Sequence, residues 1–429
     1  MLERIFKLKD RNTNVKTEII AGLTTFMTMS YILMVQPSLM KSAGMNAGAV
    51  VVVTALLSAV CTLLMSFYTN LPFALAPAMG SNAFFAITLV KGGVVTWQEG
   101  LGMIFLSGVI FLLLTVLGLR EVIVKIIPKN IKLSIGVAIG FYIVLIGFGD
   151  GNIMSIVDGS IKMGSLKSPA TLLSLIGLAI TIAFMANKIK GAALWSILIT
   201  TLIGIPMGIT KVPASLISMP PSIAPIAFKL NILSVLKLSF FPIIFTFFIG
   251  DFFSALGTIL GVSSKAGLLD KDGNLENIQR PFLVDSISAI LASLFGSTLI
   301  TAYIESAAGV EEGGRTGLTG VITALCFLLT LFLTPIATMI PSSATAPVLI
   351  AIGLSMISGI KDIDFSDFTE AFPAFATIVF TAFTSSISNG ISIGIIAYAF
   401  GKLVCGKVKE LHWGIYVLCI PLVLYFVFM

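Results

Sequence analysis

Two acidic residues stand inside apolar stretches of this chain. Glu305 lies among small residues in T-A-Y-I-E-S-A-A-G-V, where a further membrane crossing is due, and Asp251 lies near the middle of the apolar segment 238–260. A carboxylate in hydrocarbon costs roughly 2.5–3.5 kcal/mol on insertion scales, so it normally faces a water-filled cavity or a partner. It can accept two N–H donors from a planar heterocycle and can take up a proton. The alternative for Glu305 is a structural carboxylate paired with Arg315 or Lys265.

An interrupted stretch in the first half, P-F-A-L-A-P-A-M-G-S-N, contains the next candidates. Pro72 and Pro77 cannot donate backbone hydrogen bonds, so residues 73–78 are expected to be extended. The whole non-helical stretch is predicted to cover residues 72–80 and to run antiparallel to residues 297–304. Gly80 and Asn82 then fall in the first turn of a helix, whose free backbone N–H groups can bind an acceptor such as a carbonyl oxygen. The alternative is a proline-kinked helix in which Asn82 only caps the first turn.

Further side chains join these residues through their spacing. Ser254 follows Asp251 by three residues and shares its helix face. Phe252 can stack on a flat ligand, although packing is the more common role for any single aromatic residue. The run 298–301 predicts a short extended piece, and Ser306 falls at a helix start. The candidate ligand site comprises Gly80, Asn82, Asp251, Phe252, Ser254, Thr301, Glu305 and Ser306, with Glu305 and Asp251 as the proton carriers.

The elements that must position these residues belong to a membrane protein. Of the 429 residues, 57% are apolar and 11% are charged, whereas a soluble domain carries about 25% charged residues. Apolar runs recur along the whole length, which predicts an all-α polytopic membrane protein. The sequence has no Walker A lysine motif, no H-E-x-x-H and no G-x-S-x-G, so neither ATP-driven transport nor hydrolysis is supported and no enzyme is expected.

The spacing of the apolar runs predicts fourteen crossings, seven in each half, because a full crossing needs about 20 residues. Two of them, the third (72–91) and the tenth (297–312), are short and interrupted. With a cytoplasmic N-terminus, cytoplasmic segments carry 19 of the 26 basic residues and outer loops carry 7, as the positive-inside rule requires. A last apolar run, 413–429, holds Pro421 and is either an extra span or an interfacial segment.

The two halves resemble each other. Ile127-Pro128 and the later V-A-I-G match Ile340-Pro341 and the later I-A-I-G at one offset of 213 residues. An odd number of spans per half inverts the second repeat relative to the first. Inverted repeats with broken crossings at corresponding positions are typical of a transporter whose site lies near the membrane midplane.

Three stretches together resemble the azaguanine-permease-like branch of the nucleobase:cation symporter family 2. They are P-F-A-L-A-P-A-M-G-S-N-A-F-F, G-D-F-F-S-A-L-G-T…S-K-A-G-L-L-D-K-D-G-N-L and T-A-Y-I-E-S-A-A-G-V-E-E-G-G-R-T-G-L, and the opening N-V-K-T-E-I-I-A-G-L-T-T-F-M-T-M-S-Y-I-L also fits. The resemblance covers about residues 6–407. It implies proton-coupled purine uptake of the hypoxanthine, guanine or adenine type, with Asn82, Asp251 and Glu305 at the binding positions.

The resemblance also implies the arrangement of the chain. Residues 19–118 and 236–340 would form a core domain, and residues 121–235 and 341–405 a gate domain, with 406–429 as a C-terminal segment of open placement. The expected partners are a purine nucleobase, protons and the lipid bilayer of the plasma (inner) membrane. No nucleic acid, no metal and no cofactor beyond a proton gradient is expected, and a homodimer is a candidate assembly.

One position departs from the family pattern. The family usually has D-x-F-D-T, whereas this chain has Ser254 in place of the second aspartate and Ala255 in place of the threonine. The preferred purine and the proton coupling therefore stay open. Two rival functions remain: an anion transporter of the same fold, against which two acids at the site argue, and an uncoupled nucleobase facilitator.

Overall fold

Helices account for most of the chain in the computed structural model, which describes residues 2–118, 126–157, 160–269, 275–384 and 386–428. The first half contains α1 Leu2–Phe6, α2 Val15–Met29, α3 Ile32–Ser42, α4 Ala47–Thr69, α5 Met79–Ala83 continued by a π-helix Phe84–Lys91, α6 Trp97–Val116, α7 Lys129–Asp150, α8 Pro169–Ala186 and α9 Ala192–Gly204. The second half contains α10 Phe241–Lys265, α11 Gln279–Phe295, α12 Ser306–Glu311, α13 Gly317–Leu329, α14 Thr334–Met339, α15 Ser342–Ile357, α16 Phe368–Thr384, α17 Ile387–Val404 and α18 Trp413–Phe428.

Four short strands complete the fold. They are β1 Leu75–Pro77, β2 Met154–Val157, β3 Ser160–Met163 and β4 Ile300–Ala302. Strands β2 and β3 form a hairpin between α7 and α8. Strands β1 and β4 come from opposite halves of the chain and pair with each other.

Membrane crossing is supported by length and composition. Within the described ranges, nine helical segments are long and apolar enough to span a membrane, and three shorter apolar helices accompany them. Each of the fourteen predicted crossings falls on a helix or on one of the two interrupted stretches. The total of fourteen stays a prediction. The C-terminal run is helical and packs against α17 and the start of α10, but its two interpretations stay open.

Both interrupted crossings are broken, as predicted. In each, a short strand leads into a helix, and the two strands run antiparallel with Ala76 opposite Thr301. Beyond the strands, the amide of Ala78 donates to the carbonyl of Leu299 at 2.8 Å. Each strand thus supplies the backbone partners that the other lacks, which is how non-helical backbone persists at membrane depth. The extended stretch was predicted to reach residue 80, and this is wrong by two residues, because α5 begins at Met79.

The sequence repeat has a counterpart in space. Pro128 and Pro341, which match at the 213-residue offset, are the N-caps of α7 and α15. Gly140 and Gly353 match at the same offset and pack directly against each other. A Cβ built on Gly140 would lie 2.8 Å from the carbonyl oxygen of Gly353, and one built on Gly353 would lie 2.6 Å from that of Gly140. Reciprocal contact between equivalent residues is expected where two repeats meet on a pseudo-two-fold axis.

Candidate functional site

Asn82 is fully buried in α5 and belongs to a chain of side-chain hydrogen bonds. Its amide nitrogen donates to the carbonyl of Pro77 at 3.3 Å. Its amide oxygen accepts a hydrogen bond from the hydroxyl of Thr298, and Gln36 Nε2 donates to that hydroxyl at 3.0 Å. Asn82 therefore does more than cap a helix, because it connects the two broken crossings to α3.

Gln36 has spare hydrogen-bonding capacity. It is fully buried in α3, and its amide oxygen has no hydrogen-bond partner among the described residues. Buried polar atoms are nearly always satisfied, so such an atom calls for an explanation. A ligand with an N–H group could satisfy it beside Asn82.

Glu305 immediately precedes α12 and is half-buried. Its Oε1 accepts a 2.8 Å hydrogen bond from the hydroxyl of Tyr31, which lies between α2 and α3. Neither proposed cationic partner is bonded to it. Arg315 Nη1 donates to two backbone carbonyls, at 2.6 and 2.8 Å, and Lys265 pairs with Glu311 at 2.7 Å. The alternative of a structural ion pair with either residue is therefore wrong for the arrangement seen here.

Tyr303 connects the second broken crossing to the first. Its hydroxyl donates to the carbonyl of Pro77, the same oxygen that accepts from Asn82. Its own backbone amide donates to the carbonyl of Ala74 at 2.9 Å. The strand residues before Glu305 are thus held by the stretch that leads to Asn82.

Asp251 is a buried acid without a hydrogen-bonded partner in the described part of the chain. It is 2% exposed on α10, and neither carboxylate oxygen has a hydrogen-bond partner within the described residues. Asp285 on α11 is close enough to act on it electrostatically. The carboxylate of Asp285 is well satisfied, since the Thr301 hydroxyl donates to both of its oxygens at 2.9 and 3.0 Å and the Ala302 amide donates at 3.0 Å.

A family model named Xan_ur_permease, and described as a permease family, matches residues 16–393. This span includes both broken crossings and every acid described above. The chain belongs to this permease family. Membership identifies it as a multi-pass membrane transporter and confirms the family predicted from the three motifs.

Relatives of the permease match over nearly its whole length. Adenine permease AdeP of Escherichia coli strain K12 is 39% identical over 429 residues, covering 100% of this chain and 96% of the relative. Guanine/hypoxanthine permease PbuG of Bacillus subtilis strain 168 is 34% identical over 440 residues, covering 100% of both.

Solved structures share the fold of the permease at low identity. The transmembrane domain of a cyanobacterium bicarbonate transporter, BicA, aligns with a TM-score of 0.66 and 17% identity, covering 88% of this chain and 97% of that one. Murine Slc26a9, an anion transporter in its inward-facing state, aligns with a TM-score of 0.65 and 11% identity, covering 91% and 68%. The predicted polytopic helical fold, with inverted halves and a broken crossing in each, is confirmed.

The remaining predicted site residues of the permease differ in their surroundings. Ser254 is exposed, one helical turn from buried Asp251. Phe252 is buried, with its ring stacked on Phe282 at 5.6 Å and edge-on to Phe253 at 5.1 Å. Its neighbours are thus other aromatic residues of α10 and α11, an arrangement that favours packing.

Three small or hydroxyl-bearing residues of the predicted site have structural partners. Gly80 packs against α7 so closely that a Cβ would lie 2.5 Å from Ile139 Cγ2. Ser306 accepts a 3.0 Å hydrogen bond from the amide of Ala74. The hydroxyl of Thr301 is used by Asp285. These residues hold the two broken crossings in place, and their roles toward a ligand stay predictions.

The sequence interpretation missed Asp285, Gln36 and Tyr31. Asp285 carries the same signal as Asp251, since it is an acid inside an apolar segment, and it could have been found by that signal. Gln36 and Tyr31 lie in the first crossing and carry no charge. Their importance depends on contacts with residues 262 and 274 positions later in the chain, which no local pattern reports.

Proposed function

We propose that this permease takes up purine nucleobases together with protons. Relatives that match its full length are named adenine permease and guanine/hypoxanthine permease. The observation that carries the proposal is Glu305, a half-buried acid at the start of α12 whose side-chain hydrogen bond comes from the neutral hydroxyl of Tyr31. An acid without a cationic partner can exchange a proton during transport.

The substrate would bind between the half-helices α5 and α12. Asn82 and the unsatisfied oxygen of Gln36 offer hydrogen bonds at the first half-helix. Glu305 offers its carboxylate at the second. Asp251 lies nearby as a second proton carrier. A proton on one of these acids lowers the negative charge of the site and favours binding of a neutral base.

Asp285 would act as a positioning residue. It holds β4 through Thr301 and the amide of Ala302, so it fixes the strand that precedes Glu305. Its carboxyl group is also close enough to Asp251 to interact with it electrostatically. In this proposal, Asp285 keeps its proton state while Asp251 and Glu305 exchange theirs.

Transport would move a core domain, 19–118 with 236–340, against a gate domain, 121–235 with 341–405. The packing supports this division, since α13 packs on α2 and α4, whereas α15 and α16 pack on α7. The boundary at residue 121 lies outside the described residues. Lys190 of the gate forms an ion pair with Glu312 of the core and would close the cytoplasmic side.

Two rivals share the fold. An anion transporter is the first, and the two solved neighbours carry anions, but their low identity concerns the fold alone. The acids Asp251 and Glu305 favour a neutral substrate. The second rival, an uncoupled facilitator, differs from a symporter in that it cannot concentrate its substrate.

The test is uptake by cells that lack their own purine permeases. We expect accumulation of labelled adenine or hypoxanthine above the external concentration, abolished by a protonophore. Competition by adenine, guanine, hypoxanthine, xanthine and uracil then ranks the substrates. Accumulation that survives the protonophore would contradict proton coupling, and absence of any purine uptake would contradict the substrate class. Inner-membrane localisation, a cytoplasmic N-terminus and a homodimer remain parts of the proposal to be tested separately.

A further inference from the structure

A cavity of about 390 Å³ lies away from the site described above. It is bordered by Thr88 of the π-helix, by Ser239 and Phe240 just before α10, and by Ser386 and Ser388 at the start of α17. None of Asn82, Asp251 and Glu305 lines it. The cavity therefore lies between two parts of the proposed core, the π-helix and the start of α10, and the junction of the gate helices α16 and α17.

The start of α17 offers backbone donors at this cavity. The helix has 18 residues, and Ser386 is its N-cap, with a side-chain oxygen that accepts from the amide of Asn389 at 3.3 Å. The amide of Gly390 bonds to the carbonyl of Ser386 at 3.2 Å. The amides of Ile387 and Ser388 precede that bond and have no acceptor within the helix. Together with the helix dipole, they favour a ligand atom that accepts hydrogen bonds.

Ser388 supplies the second observation. Its side chain is 1% exposed and borders the cavity, and its hydroxyl has no hydrogen-bond partner within the described ranges. A buried hydroxyl without a partner is unfavourable, so it is ready to bond to a ligand. A hydroxyl can both donate and accept, which suits a heterocycle that presents ring nitrogens and N–H groups side by side.

We propose that this cavity is a second purine-binding subsite, at the outer end of the transport path. Its lining contains hydroxyls, an amide side chain and an aromatic ring but no acidic or basic side chain, which suits a neutral, flat, polar molecule. Its volume lies within the range of small-molecule sites, about 300–1,000 Å³. The ring of Phe240 borders the cavity and can stack on such a base.

The subsite and the central site share one helix. Thr88 and Asn82 lie six residues apart on the continuous helix formed by α5 and the π-helix, which corresponds to about 9 Å of helix rise. The proposed subsite therefore lies within about two helical turns of Asn82 along the chain. The inference rests on the proposed function, since it assigns the same substrate class to a second place.

Substrate protection of an introduced thiol tests the subsite. Ser388→Cys is labelled with a membrane-impermeant thiol reagent, with and without adenine, in the otherwise native chain and together with Asn82→Ala. Ser392→Cys is the matched control, since Ser392 is also 1% exposed with an unpaired hydroxyl but does not border the cavity. The unsubstituted protein gives the background from its own cysteines.

We expect adenine to slow labelling of Ser388→Cys at least five-fold, also when Asn82 is replaced by alanine, and to leave Ser392→Cys unchanged. No protection would overturn the proposal. Protection that disappears with Asn82→Ala would also overturn it, because the effect would then come from the central site.

Transport kinetics give a second measurement that does not need the thiol. Ser388→Ala should raise the KM for adenine about five-fold with an unchanged maximal rate, while Ser392→Ala changes neither. If the native protein transports purines and Ser388→Ala has the same KM as Ser392→Ala, the second subsite is overturned, whereas the proposed function is not. A protein that transports no purine would instead contradict the proposed function, and the labelling experiment would still decide whether the cavity binds adenine.

Discussion

The hydroxyl of Tyr31 donates a 2.8 Å hydrogen bond to Oε1 of Glu305. The two residues are separated by 274 positions, and each stands at a break between helices, Tyr31 between α2 and α3 and Glu305 before α12. Breaks of this kind bring a side chain and free backbone groups to the same depth in the membrane. The pair therefore couples the first crossing to the acid that is proposed to carry the proton.

Tyr31→Phe tests that coupling. It removes the hydroxyl and keeps the ring. A hydrogen bond to a charged group contributes about 1.5–3 kcal/mol, so we expect uptake to fall at least about ten-fold. Tyr416→Phe, on α18, is the control because Tyr416 is 38% exposed. Initial rates of purine uptake at equal expression measure the effect, and equal rates for the two variants would remove Tyr31 from the mechanism.

Thr301→Val tests the support of β4 by Asp285. Valine has the shape of threonine but cannot donate, so the carboxylate of Asp285 loses its two side-chain hydrogen bonds. An unsatisfied buried group costs about 1–3 kcal/mol, and we expect a lower Tm together with impaired uptake. Thr301→Ser keeps the hydroxyl and should behave like the native protein. If both variants had the native Tm, the hydroxyl would not stabilise the strand.

Ser254→Asp restores the acid that is usual in the family. Ser254 is exposed and one turn from Asp251, and a residue that lines a polar cavity accepts a new charge more readily than one that faces lipid. We expect the pH dependence of uptake to shift by on the order of one pH unit, or the purine preference to change. Ser264→Asp, at the exposed end of the same helix, controls for charge alone. Identical profiles for native protein and Ser254→Asp would place Ser254 outside the site.

The ion pair between Lys190 and Glu312 is the proposed cytoplasmic contact between gate and core. Because Lys190 is 60% exposed, the pair should contribute no more than about 1 kcal/mol. We expect Glu312→Gln to change the uptake rate less than about five-fold, with the difference vanishing in high salt. Glu311→Gln, which leaves this pair intact, is the control. A difference that persists in high salt would contradict a screened ion pair.

Much of the fold could be predicted from the sequence, because apolar runs and prolines act locally. Pro72 and Pro77 exclude a continuous helix in the first interrupted crossing, and the run 298–301 indicated the break in the second. The 213-residue offset indicated two related halves, and the contact between the equivalent residues Gly140 and Gly353 was seen only in the structure. Such features depend on the chemistry of neighbouring residues, which the sequence displays.

The partners in the candidate site could not be predicted in the same way. Asp251 and Glu305 were visible as costly charges, but their surroundings depend on which helices pack together. Gln36 and Tyr31 are neutral, so they lack the high free-energy cost of a charged side chain in the membrane, which made the acids recognisable in the sequence. Phe252 illustrates the same limit: its ring stacks on Phe282, a contact that the sequence does not display, and its role toward a ligand stays a prediction.

The most direct measurement is purine accumulation by Glu305→Gln in proteoliposomes with an imposed proton gradient. Glutamine keeps the size of the side chain and one acceptor oxygen, which the hydroxyl of Tyr31 can still reach, but it cannot exchange a proton. We predict that the native permease concentrates adenine or hypoxanthine inside the vesicles. Glu305→Gln should still bind the base and equilibrate it across the membrane but should not concentrate it. If Glu305→Gln concentrates the base as the native protein does, Glu305 is not the proton carrier and the central claim is contradicted.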